Sequence, residues 1–204
     1  MPSIGYNKND TRMEELIQVA IGLGASYASA ISASDIAVED KLAGLCREPQ
    51  CENFGLSPSC PPHVSGPDGF RKLLEILEKA VVVKIDVPLS VLLSDERGEV
   101  MQLLHEIVAG VERSAIQMGY INSKAFAGGS CKKIFCPEES DCNVLKEGGQ
   151  CRNPQYARPS MSGFGINVTK LMTVAGFNVD INFMDTKRTN DDSMSWVSGL
   201  VLIG

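Results

Sequence analysis

Met13, Leu16, Ile17, Ala20 and Leu23 recur at the spacing of one helical face, and Thr11 with Glu14 forms a capping-box signature ahead of them. This pattern predicts a first helix over 12–23, stopped by Gly22 and Gly24. From Ser26 to Val38 small and apolar residues alternate loosely with Ser, which suits a strand or a bent pair of strands. Phe70, Leu73, Leu74 and Leu77 make a second helical stripe, with Ser65 and Asp68 as candidate caps. The apolar run from Ala80 to Val87, interrupted by Lys84 and Asp86, reads as an interior strand. Val100, Leu103, Leu104, Ile107, Val111, Ala115 and Met118 then hold helical period from Glu96 to Met118, with Gly119 as the stop signal. Tyr120 to Ala127 alternates as a strand. A last helix is expected from near Asn167 to Gly176. Val179, Ile181 and Phe183 alternate in one strand and Trp196 to Ile203 form another, around a polar hairpin loop from Asp185 to Ser193. Phe183 and Trp196 read as core residues of that hairpin.

This order predicts a single mixed sheet covered by helices, of α/β class with α+β as the alternative. No repeat, linker or low-complexity tract divides the chain, so residues 1–204 are expected to form one domain. Two punctuated stretches break the periodicity, one over 40–66 and one after Gly128-Gly129, and each follows a predicted strand and precedes a helix. If those two strands run parallel, right-handed crossovers bring both loops to one edge of the sheet, where open sheets place ligands.

All seven cysteines lie in these loops: Cys46, Cys51 and Cys60 upstream, Cys131, Cys136, Cys142 and Cys151 downstream. A chain of 204 residues buries a core without staples, and Met1 to Asn9 carries no apolar leader-like run. A cytoplasmic setting is therefore expected, and there clustered thiols are more often metal ligands than disulfides. The net charge of -6 offers no basic footprint for nucleic acid, and no apolar run reaches membrane-spanning length.

The spacings C-x4-C-x8-C and C-x4-C-x5-C-x8-C fit the close knuckles of structural zinc sites only in part. Iron–sulfur clusters accept more varied spacing, and Pro follows Cys60 and Cys136 as it follows a ligand in the bacterial ferredoxin motif. Flanking glycines let backbone N–H groups approach the sulfurs. One or two 4Fe–4S clusters are the leading expectation, with zinc as the alternative. Three upstream thiols leave one ligand position to His63, to Glu48 or Glu52, to solvent or to a substrate, although His63 reads more simply as a loop residue. His105, between Leu104 and Ile107 on the long helix, reads as a surface or partly buried side chain.

Several of these stretches resemble a known family. Ser59-Cys60-Pro61-Pro62-His63, the Gly-Gly-Ser-Cys run at 128–131, Cys151-Arg152-Asn153-Pro154 and Ala157-Arg158-Pro159-Ser160-Met161 are similar to the predicted metal-binding proteins grouped as domain of unknown function 2284. The resemblance covers the chain from Cys46 to Gly176 and implies a metal-binding, iron–sulfur role without a settled reaction. It also implies acidic residues where this chain has Ser162 and Asn167.

Arg158-Pro159-Ser160 ahead of a helix could meet an anion or a carboxylated substrate, or could serve as a cap and a salt bridge. Lys132, Lys133 and Arg152 beside the thiols could offset cluster charge, while Glu138, Glu139 and Asp141 lie equally close. No dinucleotide or phosphate-loop motif occurs, and the absence of C-x-x-C argues against a thiol–disulfide enzyme. The expected function is electron transfer or redox support at an iron–sulfur centre, with a redox partner protein or a small molecule meeting an open site. The alternative is a zinc-stabilised binding or scaffold protein without catalysis.

Overall fold

Strands β1 (Tyr27–Ser32), β2 (Lys79–Pro88), β3 (Lys124–Phe126) and β4 (Met194–Ile203) form one sheet in the order β1-β2-β4-β3. The computed structural model describes residues 8–146, 149–178 and 193–204. The helices among them are α1 (Lys8–Gly22), α2 (Asp40–Gly44), α3 (Gly66–Leu74), α4 (Leu89–Leu92), α5 (Arg97–Gln117), α6 (Cys131–Phe135) and α7 (Val168–Val174). The two long strands, β2 and β4, lie at the centre and pair from Lys79↔Ile203 to Pro88↔Met194. Their side chains alternate between two buried faces, which is why both read as apolar runs.

Val81, Val83, Ile85 and Val201 pack on one face against Met13, Leu16 and Ala20 of α1 and Leu104, Ile107 and Val111 of α5. Ala80, Val82, Leu200 and Leu202 pack on the other against Phe70 of α3 and Leu171 and Met172 of α7. The expected single sheet covered by helices is present in its α+β form. The parallel strand pair is not, because all three pairings are antiparallel. Helix α1 starts at Lys8, so Thr11 lies inside it and caps nothing. The stretch 26–38 resolves into β1 and a 3-10 turn at Ala33–Asp35. Only Lys124–Phe126 of the expected 120–127 strand is paired as one. Ser65 stands at the N-cap of α3 without a side-chain cap bond, and Asp68 instead pairs with Arg71 at 2.8 Å. The expected strand at Val179 to Phe183 and most of the polar stretch after it lie outside the described residues.

What brings the two cysteine loops together is the stretch 159–167 rather than a crossover. Val38 bridges Ile166, and Glu39 N–H donates to the Gly165 carbonyl at 2.8 Å. Gly165 has φ 71°, and a Cβ there would strike the Glu39 backbone, so this close crossing needs glycine. Ala127 pairs in parallel with Ser160, the Met161 N–H donates to the Ala127 carbonyl at 2.9 Å, and the Ser160 N–H donates to the Ser59 carbonyl at 3.0 Å. One segment therefore holds both the residue that leads into the downstream loop and the residue before Cys60.

Candidate metal centre

The upstream loop leaves α2 as a series of tight turns. The Cys51 N–H donates to the Cys46 carbonyl at 3.1 Å, the Cys60 N–H to the Ser57 carbonyl at 3.2 Å, and the Gly55 N–H closes on the Pro61 carbonyl at 2.8 Å. Cys60 is buried, Cys46 half-buried and Cys51 exposed. The downstream loop begins at Gly129, with φ 73°, and Ser130, which stands at the N-cap of α6. Cys131 opens that short helix and is buried, Cys136 closes it, and Cys142 and Cys151 are half-buried.

Cys131, Cys136, Cys142 and Cys151 line one cavity of about 220 Å³, together with Ser59, Lys132, Arg152 and Asn153. No carboxylate or imidazole lines it. A larger groove of about 680 Å³ lies beside β1, between Met13, Ile17, Ile31 and Leu74, and holds no thiol or imidazole. The chemistry therefore favours the smaller cavity. Asn153 reaches two of its sulfurs: its N–H donates to Cys151 Sγ at 3.4 Å and its Nδ2 to Cys136 Sγ at 3.5 Å. The Cys131 thiol donates to Ser59 Oγ at 3.2 Å, so its sulfur is turned toward the upstream loop. Burial pushes the Cys131 thiol up; Ser59 and Ser57 pull it back, and Cys60 and Cys151 push it further up. Burial likewise pushes Cys46 up, helped by Cys51 and Cys60. The hydroxyls of Ser57 and Ser130 are buried with no partner at good hydrogen-bond geometry, although Ser57 lies beside the Cys131 sulfur.

Several charged side chains around the cavity are engaged. Lys132 Nζ donates to the Cys136 carbonyl at 2.6 Å, Arg152 meets Glu139 at 2.9 Å, and Lys133 ties the downstream loop to Glu52 of the upstream one. That contact holds the Glu52 carboxyl below its usual range. His63 is exposed, with Nε2 3.3 Å from the Gly55 carbonyl. Among the described residues no three His, Cys, Asp or Glu side chains are gathered tightly enough to hold an ion as they stand.

Two polar residues of α5 anchor the downstream loop, and the sequence reading misses both. His105 is fully buried, which corrects the expected surface or partly buried placement. Its Nδ1 accepts from the Arg158 N–H at 3.2 Å and its Nε2 lies 3.2 Å from the Gly128 carbonyl, so it ties together the two feet of the loop. Burial pushes its pKa down to about 4, against the pull of the Gly128 and Tyr156 carbonyls. Glu112 pairs with the Arg158 guanidinium at 2.6 Å and accepts the Ala125 N–H at 2.7 Å. Arg158 is thus committed to Glu112 and to the carbonyls of Pro154 and Ala157, which is the salt-bridge reading of it and not the anion receptor. Asn167 caps α7 through the Lys170 N–H at 3.0 Å and donates to Glu39 at 2.7 Å, a bond that a carboxylate in its place could not make. Ser162 is exposed.

The family model described as predicted metal-binding protein (DUF2284) matches residues 29–203. The chain belongs to this family. No curated protein and no solved structure was found to match it. In this DUF2284 chain the donor set of the cavity fits the family's description: thiolates are soft ligands suited to zinc, copper(I) or iron–sulfur clusters, whereas oxygen-seeking ions need carboxylates. The two Asn153 donors on the sulfurs supply surrounding bonds of the kind such a site requires. Among the described residues no helix is long and apolar enough to cross a membrane.

Proposed function

We propose that this DUF2284 protein is an iron–sulfur protein in which Cys131, Cys136, Cys142 and Cys151 hold a 4Fe–4S cluster and Cys46, Cys51 and Cys60 contribute to a second centre. It serves electron transfer or redox support in a cytoplasmic setting. The observation that carries this reading is the cavity lined by four thiols and by no carboxylate or imidazole. When bound, such a cluster supplies a one-electron couple whose potential follows its charge, exposure and sulfur hydrogen bonds.

The chain's own residues bear on each of those quantities. Asn153 donates to two sulfurs, which favours the more negative, reduced state. Lys132 and Arg152 line the cavity and offset thiolate charge, although Arg152 is shared with Glu139. Phe135 and Val144 exclude water from part of the cavity wall. A redox partner protein or a small molecule would meet the centre on the upstream side, where Cys51 is exposed.

Anaerobic purification followed by iron, zinc and acid-labile sulfide analysis tests the reading, with electron paramagnetic resonance of the reduced protein alongside. Iron with matching sulfide and a reduced-cluster signal is the expected result. A colourless protein with stoichiometric zinc and no sulfide overturns it in favour of a zinc-stabilised scaffold.

A further inference from the structure

The larger groove lies against a strand edge that has no partner among the described residues. Strand β1 ends the sheet, pairs with β2 alone and keeps register over its whole length, from Tyr27↔Lys84 to Ser32↔Lys79. Edge strands are commonly blunted by charged side chains, proline or a bulge, and the Tyr-Ala-Ser-Ala-Ile-Ser run of β1 carries none of these. We infer that this edge is the interface of a homodimer, in which β1 of one copy pairs antiparallel with β1 of a second copy about a two-fold axis at Ser29. The pairing joins two four-stranded sheets into one. This face contains no cysteine and does not depend on the thiol centre.

The backbone determines which groups the edge offers. The Ala33 N–H donates to the Glu78 carbonyl at 2.9 Å, which continues the β1–β2 ladder one residue past Ser32. Hydrogen-bonded and non-hydrogen-bonded pairs alternate along an antiparallel ladder, so Tyr27, Ser29 and Ile31 turn their N–H and C=O groups inward to β2. Ala28, Ala30 and Ser32 turn theirs outward. An axis at Ser29 sets Ala28 opposite Ala30 of the second copy, and the reverse, so outward groups meet outward groups and each such pair exchanges both its bonds. An unmet row of donors and acceptors becomes a ladder.

The side chains choose the same axis. Tyr27 and Ile31 share the face of β1 turned toward α3 and α7: the Tyr27 ring lies 6.1 Å from Phe177, and Ile31 packs against the same cluster. Tyr27 is 51% exposed in the single chain, at one end of β1, while Ile31, Leu74 and Leu77 line the groove at the other end. About Ser29 each Tyr27 falls opposite Ile31 of the other copy, at a non-hydrogen-bonded position, where cross-strand side chains come closest. The exposed ring of each copy thus meets the groove of the other, the reciprocal fit that a two-fold interface requires. Aromatic and β-branched residues are a stabilising cross-strand pair. On the opposite face Ala28 meets Ala30, and two methyl groups keep that side of the pairing free of bulk. Moving the axis to Ala30 would keep the hydrogen bonds but set Tyr27 against Ala33, which is already buried in the 3-10 turn.

Sedimentation equilibrium of the full chain over a range of concentrations tests the dimer. A species of about 44 kDa, twice the 22.0 kDa of one chain, is expected. A wild type that stays at 22.0 kDa throughout overturns the proposal, as would follow if another segment of the same chain covered the edge. Ala30→Pro removes one outward N–H and spares the β1–β2 ladder, and Tyr27→Ser removes the ring that meets the groove; each should weaken dimerisation by about tenfold or more. Circular dichroism establishes that the variants fold, and a dimer equally stable in both folded variants forms through another face and overturns the proposal. Ser29→Cys sets two thiols opposite each other across the axis, at a spacing that a disulfide can bridge. Mild oxidation should then give more covalent dimer than in the wild type, whose own cysteines set the background. A Ser29→Cys chain that crosslinks no more than the wild type overturns the Ser29 axis. The wild-type mass and the crosslink do not require the Ala30 and Tyr27 variants to fold.

Discussion

Protonating His105 would break one of the two bonds by which it holds the downstream loop. Its Nδ1 accepts from the Arg158 N–H, which places the ring proton on Nε2, facing the Gly128 carbonyl. A second proton would set two donors against each other beside the Arg158 guanidinium, in a site already closed to water. The folded pKa of about 4 lies below the ordinary 6.5, so between those values the unfolded chain binds more protons than the folded one. Stability contributed by the neutral ring is therefore full above pH 6.5 and is lost as pH falls toward 4. Urea melts should show about 2 kcal/mol of loss between pH 6.5 and pH 5, at roughly 1.4 kcal/mol per pH unit. His105→Gln should remove that slope. Glu112 makes a parallel case. Its ion pair with Arg158 leaves the two side chains 15% and 12% exposed, so Glu112→Gln strands a nearly buried cation and should cost about 3 kcal/mol. Removing both charges, with Glu112→Leu and Arg158→Met, should cost less than the single change, as urea midpoints will show.

At the scale of elements, α5 packs closely on β4. Gly199 faces Val108 and Leu104, and a Cβ there would run into the Val108 side chain and sit 3.2 Å from Leu104. Val108 is β-branched and stiff, so it cannot swing aside. Gly199→Ala should destabilise by about 1–3 kcal/mol, and adding Val108→Ala should recover about 1 kcal/mol relative to the sum of the single changes, read from urea midpoints. The same pair of elements shows what the chain discloses on its own. Helix α5 and the central strands are legible because each buries a long regular face: β2 runs apolar on both sides and α5 keeps its stripe for 21 residues. His105 and Glu112 lie seven apart on that helix, and His105 falls on the buried stripe between Met101 and Val108. That polar residue at a core position was the available signal for the anchors. Strand direction was not legible, because pairing order depends on contacts between distant segments that no local pattern records. Helix α1 began earlier than its capping signature because Thr11 and Glu14 also serve as ordinary helix positions.

Taken as a whole, the molecule separates its core from its chemistry. Neither of the two buried clusters flanking the sheet contains a cysteine, and the thiols lie on loops tied down by a handful of polar contacts: Ser59 to Cys131 and to Ser160, Lys133 to Glu52, His105 to Gly128 and Arg158. This separation explains why the cysteines were visible in the sequence while their grouping was not. Residue type and spacing announce ligands, but the Ser59 contacts to Cys131 and Ser160 arise only once segments distant in the sequence have come together. It also sets how metal and stability are linked. An ion held by the thiols adds its binding free energy to the folded state, about 4 kcal/mol at a thousandfold excess over its dissociation constant, so chelation should lower the melting temperature. The loss should be local in structure, since the sheet and its two helical layers do not depend on the sulfurs for packing. Amide hydrogen exchange on metal-loaded and chelated protein is the measurement: exchange over 46–60 and 131–151 should quicken on chelation, while the central amides of β2 and β4 keep their protection. If those central amides lost protection to the same degree, the thiol loops and the sheet would be one cooperative unit, and the division between core and metal centre would have to be abandoned.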